Sequence, residues 1–325
     1  YGSFLGKKDK EASTGADNSP PATQSSINLD VNDTEKDYSE ELPNNEKSTE
    51  GSEVKSASNG DADSNTQNGA LEEIGRDKPV DSQADEIKTI KAKAIYLSGN
   101  SAGSEQVLDK YISLINTTEL NAVVIDIKEA GKVNYRSSIP FVSENNLDAN
   151  YYDPKEVLTK LHENGIFVIG RIVCFRDDGL ARARPDLAIK RVDGSIWKEG
   201  KLGAWTNPYS EDVWDYNIKI AEEAIDLGFD EIQFDYVRFP TAKKSEVSYG
   251  DNMPTRIEAI NNFLKKASEK IRDEKKTPLS ADIFGIVAES VTDGRTLGQE
   301  LESIGMNIDH ICPMVYPSHY AKGQI

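Results

Sequence analysis

The 325-residue chain carries a net charge of -18 and a pI near 4.7, an acidity that argues against a nucleic-acid partner and against adhesion to anionic lipid. More than half of that charge falls in residues 1–90, where Ser, Asn, Asp, Glu, Gly and Lys dominate and Tyr1, Phe4 and Tyr38 are the only aromatic residues. Such a segment cannot bury enough apolar surface to offset the entropy of ordering it, so residues 1–90 read as a disordered, low-complexity acidic linker and residues 91–325 as one folded domain of about 235 residues.

From Lys91 onward, apolar runs alternate with amphipathic stretches, the pattern of a parallel α/β sheet. The first predicted strand, 94–98, stops at Gly99-Asn100. A helix over 104–116 follows, with Val107, Leu108, Tyr111, Ile112 and Ile115 at helical spacing behind a Ser104 N-cap. The second strand, 122–127, runs into Lys128-Glu129-Ala130-Gly131 and a loop of about twenty residues, a length that tends to be functional. Asp153-Pro154 opens the second helix, Asn164-Gly165 closes it, and the third strand spans 166–175. An excursion of about thirty-five residues then holds Trp197, Trp205 and Trp214, rings that either stack on sugar faces at a barrel mouth or pack the loop onto the domain. Helix 211–227 ends at Gly228 ahead of a fourth strand over 232–235, and Pro240 breaks the chain beyond it. A helix of about twenty residues after Pro254, a strand over 278–285, a short helix near 297–304 and a strand over 308–316 complete the series.

Strands alternating with helices in this way fit a (β/α)8 TIM-type barrel truncated after its sixth strand better than a six-stranded open sheet. A doubly wound sheet would carry a Gly-rich phosphate turn, and Gly99-Asn-Ser-Ala-Gly103 lacks its spacing. The chain starts at Tyr1 without Met and stops at Ile325 just past a strand, so it reads as a piece of a longer protein. An acidic tether of this kind commonly separates an export segment, or a membrane or cell-wall anchor, from a surface domain; the alternative is a flexible tail. Cys174 and Cys312 lie inside predicted strands and read as small core residues rather than a disulfide, zinc or redox pair.

The fourth strand is where chemistry first becomes visible. Ile232-Gln233-Phe234 ends in Asp235, followed by Tyr236, Arg238 and Pro240. A parallel strand covered on both faces should be continuously apolar, so Gln233 and Asp235 need a reason. Asp235 is either a buried carboxylate satisfied by loop amides or by Arg238, or a catalytic carboxylate at the end of the strands where barrels place their chemistry. Alternation along the other strands gathers Tyr96 and Ser98, Asp126 and Lys128, Arg171, Ser280 and Asp282, and Met314 and Tyr316 on the same face. His162, His310 and His319 show no paired ligand spacing, so neither a metal nor another cofactor is expected.

Paired carboxylates without a metal, ringed by aromatic loops, point to glycoside cleavage, which needs one protonated and one ionised carboxyl. Asp235, near Arg238 and Arg171, suits the ionised role. Asp282, flanked by Ala281, Ile283 and Phe284, suits the acid. Asp126 exchanges with Asp282 in an alternative assignment, or Glu129 replaces either, and retention versus inversion stays open. The plain structural alternatives are that Asp126 pairs with Lys128 or Arg171 and that Asp282 caps a turn. Arg171 reads as an orienting or substrate-binding cation, while Tyr316 and His319 are as readily structural as substrate-touching.

Trp205-Thr-Asn-Pro-Tyr-Ser-Glu-Asp-Val-Trp-Asp-Tyr216 and Gly228-Phe-Asp-Glu-Ile-Gln-Phe-Asp-Tyr-Val-Arg-Phe-Pro240 carry a resemblance. Together with Asp126-Ile-Lys-Glu129, Ser280-Ala-Asp282 and Met314-Val-Tyr-Pro-Ser-His-Tyr320, they resemble DUF4015, a glycosyl hydrolase-like domain family of bacterial surface proteins. The resemblance implies a TIM-type barrel, a carbohydrate substrate and an extracellular or cell-surface location, with the family domain continuing past Ile325. It matches Asp235 to the strand-four carboxylate of related barrels and transfers no proven catalytic pair. The competing reading is a barrel that binds carbohydrate at the cell surface without cleaving it.

Overall fold

The computed structural model describes residues 87–201 and 203–316; residues 1–86 of the expected linker, and His319, lie outside the described residues. The described residues up to 315 belong to one compact unit, described by itself below. Among the described residues six strands lie parallel: β1 (Ala94–Leu97), β2 (Ala122–Glu129), β3 (Phe167–Val173), β4 (Glu231–Asp235), β5 (Leu279–Phe284) and β6 (His310–Met314). Five principal helices stand between them: α1 (Glu105–Asn116), α2 (Pro154–Glu163), α3 (Glu211–Leu227), α4 (Arg256–Ser268) and α5 (Val291–Leu297). Each strand pairs with the next in sequence, with no reversal of order. A doubly wound sheet would reverse at its switch point; this sheet is instead a curled half-barrel, consistent with a TIM-like barrel.

Local chemistry explains the boundaries. In β2, Ala122, Val123, Ile125 and Ile127 are completely buried, as a strand covered on both faces requires. The stripe Leu108, Ile112 and Ile115 seats α1 on the sheet. The Asp153 side chain accepts from the Lys155 and Glu156 amides ahead of Pro154. Gly228, at φ +112°, closes α3, and a Thr255–Glu258 capping box opens α4. At the strand N-termini, Asn121, Asp230 and Asp309 accept from the backbone amides of Lys93, Val168 and Leu279, at 2.7, 2.8 and 2.9 Å. These bonds fix the register of neighbouring strands.

Of the predicted helix near 297–304, only Leu301–Ile304 forms a helical turn, and α5 ends at Leu297 before it. Gly298, at φ +78°, separates them. The long loop after β2 is ordered: Lys132–Val133 folds back antiparallel on β2, and Pro140–Glu144 forms a helical turn. Glu223 of α3 holds this loop, accepting from the Ser137 hydroxyl at 2.8 Å and the Ser138 hydroxyl at 2.7 Å. Gly131, at φ +77°, meets the backbone of Gly179 so closely that an added Cβ would lie 2.3 Å from the Gly179 nitrogen. Gly131→Ala is therefore expected to destabilise the domain by about 1–3 kcal/mol, read as a lowered denaturation midpoint at unchanged m-value.

Candidate active site

The candidate side chains meet at the C-terminal ends of β2 to β5, and Arg171 of β3 is their hub. Its Nη1 donates to Asp126 at 2.7 Å and to Glu129 at 2.9 Å. On the other side of the fork, Nε and Nη2 both donate to one oxygen of Asp235, at 3.0 and 2.5 Å. One guanidinium thus gathers three carboxylates from two strands. The second oxygen of Asp235 accepts from the Tyr236 amide at 2.6 Å, and Tyr236 adopts φ +53°. Left-handed backbone at a bulky residue is strained, and strain of this kind collects at functional sites. The Tyr96 hydroxyl donates to Asp126 at 2.5 Å, and its ring is half exposed. Burial and the neighbouring Asp126 push the Tyr96 phenol up. Burial also raises Asp126, against the opposing pull of Arg171.

Asp282 differs from these carboxylates. It is part-exposed, and among the described residues its side chain has no hydrogen-bond partner. Burial, reinforced by the charge of Asp235, holds its carboxyl well above the usual range, while Arg171 acts in the opposite sense. Two carboxyls on the neighbouring strands β4 and β5 thus stand in contrasting environments, one paired with a cation and one without a side-chain partner among the described residues.

Other expected residues fall differently. Lys128 does not reach this mouth. The pairing of β2 with β3 slips between Asp126, opposite Arg171, and Lys128, opposite Ile172. That bulge turns Lys128 to the helix side, where it is completely buried, 2.6 Å from Asp177 and 2.8 Å from the Asn217 amide oxygen. The Asp177 carboxylate also caps the Asp178–Ala183 helix through the Leu180 amide. Lys128→Met should leave that carboxylate buried without its cation, costing about 3–5 kcal/mol in chemical denaturation.

Of the two readings of the tryptophans, packing holds. Trp205 is completely buried, donating to Glu199 at 2.9 Å, and Trp197 and Trp214 are also buried. Gln233 donates to the Cys312 sulfur at 3.3 Å, and burial pushes that thiol up to about 11. Tyr236 and Arg238 lie beside the carboxylates. Tyr316, half exposed, falls outside the compact unit, and His319 outside the described residues.

Sequence reasoning missed Arg176. Its Nη2 donates to Glu129 at 3.1 Å, its Nη1 to the Tyr236 hydroxyl at 2.5 Å, and its guanidinium lies 3.8 Å from the Tyr236 ring centre. It lies three residues beyond the end of β3, so polarity just past a strand end was the available signal. A groove of about 960 Å³ lies elsewhere, between α3 and the 136–141 segment, lined by Arg136, Phe141, Arg184, Tyr216, Lys219 and Glu223 among others. It holds none of the strand-end carboxylates, so its size does not make it the reactive centre.

Residues 94–325 match the family model DUF4015, described as "Putative glycosyl hydrolase domain". The chain belongs to the DUF4015 family. A hypothetical protein from Ruminiclostridium thermocellum ATCC 27405 is similar to this DUF4015 chain at 43% identity with a TM-score of 0.55, over 58% of this chain and 96% of that one. The PgaB (BpsB) glycoside hydrolase domain from Bordetella bronchiseptica shares the fold at 11% identity and a TM-score of 0.50, over 69% and 74% of the two chains. No curated protein matches. No helix among the described residues is long and apolar enough to cross a membrane.

Proposed function

We propose that this DUF4015 domain hydrolyses a glycosidic bond in a poly- or oligosaccharide outside the cell, as part of an eight-stranded barrel. Asp282 gives its proton to the leaving oxygen. Asp235, paired with Arg171, either attacks the anomeric carbon as nucleophile or takes a proton from the water that attacks it. The observation that supports this reading is the contrast between neighbouring carboxyls: Asp235 locked to Arg171, and Asp282 unpartnered and raised by burial beside it. Environments that push two carboxyls apart are how one site runs acid and base chemistry together. Arg171 orients Asp126, Glu129 and Asp235, and Tyr96 offers a half-exposed ring beside them for a sugar face.

A second reading, saccharide binding without cleavage, is favoured by one observation. Asp235 is 3% exposed with both oxygens engaged, so a sugar must displace or reorient Arg171 to reach it. Release of reducing ends from a glycan panel by the full-length protein separates the two. Cleavage of at least one glycan supports the hydrolase; retention of a glycan with no new reducing ends supports the binder.

A further inference from the structure

Arg238 is the charge that the site leaves unexplained. It is 5% exposed, more deeply buried than a lone cation tolerates without compensation. Arg171 and Arg176 meet Asp126, Glu129 and Asp235 as ion pairs. Arg238 has no ion pair among the described residues. Its one hydrogen bond there runs from Nη1 to the Phe239 carbonyl, at 3.0 Å.

Three aromatic rings hold the guanidinium in place: Phe284 at 4.6 Å, Trp205 at 4.9 Å and Tyr236 at 5.2 Å from its centre. Such a cage fixes a cation's position while leaving the in-plane donors of its fork unfilled. The cage stands next to the reactive carboxyls. Tyr236 follows Asp235 directly, and Phe284 lies two residues beyond Asp282 on β5, hence on the same face of the strand. Burial lowers Arg238 from its ordinary value, and the nearby carboxylates Glu199 and Asp235 offset that only in part, neither forming an ion pair with it. A bound anion would complete the compensation.

We propose that Arg238 is an anion subsite, receiving the carboxylate or ester-sulfate of an acidic saccharide whose neighbouring linkage lies at Asp282 and Asp235. The placement of the saccharide rests on the glycosidase reading; the anion preference rests on Arg238. A planar guanidinium with free donors matches the two oxygens of such a group, and a neutral hydroxyl offers no charge to offset the burial. The net charge of -18 does not oppose this at close range, because exposed charges are screened beyond about 8 Å at physiological salt.

The test measures binding separately from turnover. Full-length protein carrying Asp235→Asn is titrated calorimetrically with oligogalacturonate, a heparin-type sulfated oligosaccharide and a neutral cello-oligosaccharide. One acidic saccharide is expected to bind about thirtyfold more tightly than the neutral one, with the preference lost in Asp235→Asn/Arg238→Gln. Which acidic probe binds distinguishes a carboxylate from a sulfate. Because Arg238→Gln risks misfolding, nitrogen NMR of the Arg238 Nε in Asp235→Asn alone provides a second readout, and should shift on adding the acidic probe. Equal binding of neutral and acidic probes, no binding of either acidic probe, or binding without a shift at Nε would overturn the inference. Arg238-dependent binding without cleavage of any glycan by the unsubstituted protein would leave it standing and remove the glycosidase reading.

Discussion

Asp235→Asn is expected to lower turnover of a cleavable glycan by at least about a thousandfold, with a far smaller change in KM. The reason is chemical. The amide cannot carry the negative charge that the anomeric centre demands, whether as nucleophile or as base. Folding should survive, because Arg171 keeps Asp126 and Glu129, and the Asn side-chain oxygen can still accept from the Tyr236 amide. Steady-state kinetics with a thermal melt on the same preparation checks both halves. Lost turnover together with a collapsed melt would assign Asp235 a structural role.

Asp282→Asn should remove the proton donor, lowering kcat by about a hundred- to ten-thousandfold on natural linkages. Aryl glycosides with acidic leaving groups should recover most of that loss, since they depart without a proton. The unsubstituted enzyme should lose activity as pH rises through the elevated Asp282 pKa, and the variant should lack that alkaline decline. Stability declines with rising pH as well. A carboxyl raised in the folded state binds more protons there than in the unfolded chain, so stability falls as pH climbs from the unfolded value, about 4, through the folded one. Asn removes this cost. Its melting temperature should exceed that of the unsubstituted protein at pH 7, and the two should converge near pH 4. A group kept for chemistry at the expense of stability behaves in this way.

Strand and helix positions were legible because each βα unit carries its own periodicity and caps: Asp153-Pro154, Gly228 and the apolar run of β2 needed no tertiary information. Convergence of Asp126, Arg171, Asp235 and Asp282 followed from alternation along parallel strands. The same alternation failed at Lys128, since a bulge adds one residue and sends the next side chain to the other face, and no residue in Asp126-Ile-Lys-Glu129 announces it. The tryptophans were undecidable because a ring on a long loop has the same sequence whether it faces water or, like Trp205, packs under Arg238 and Tyr236. Arg176 escaped because tracing one face of β3 stopped at Arg171, although the chain just beyond the strand supplies the cation that pairs with Glu129.

The most direct test of the paired-carboxyl account is a pH titration of the Asp side-chain carboxyls by carbon-13 NMR in selectively labelled protein, assigned through Asp235→Asn and Asp282→Asn. The account predicts that Asp282 keeps its proton well above the ordinary Asp range. Ionisation of Asp282 near pH 4 would contradict it.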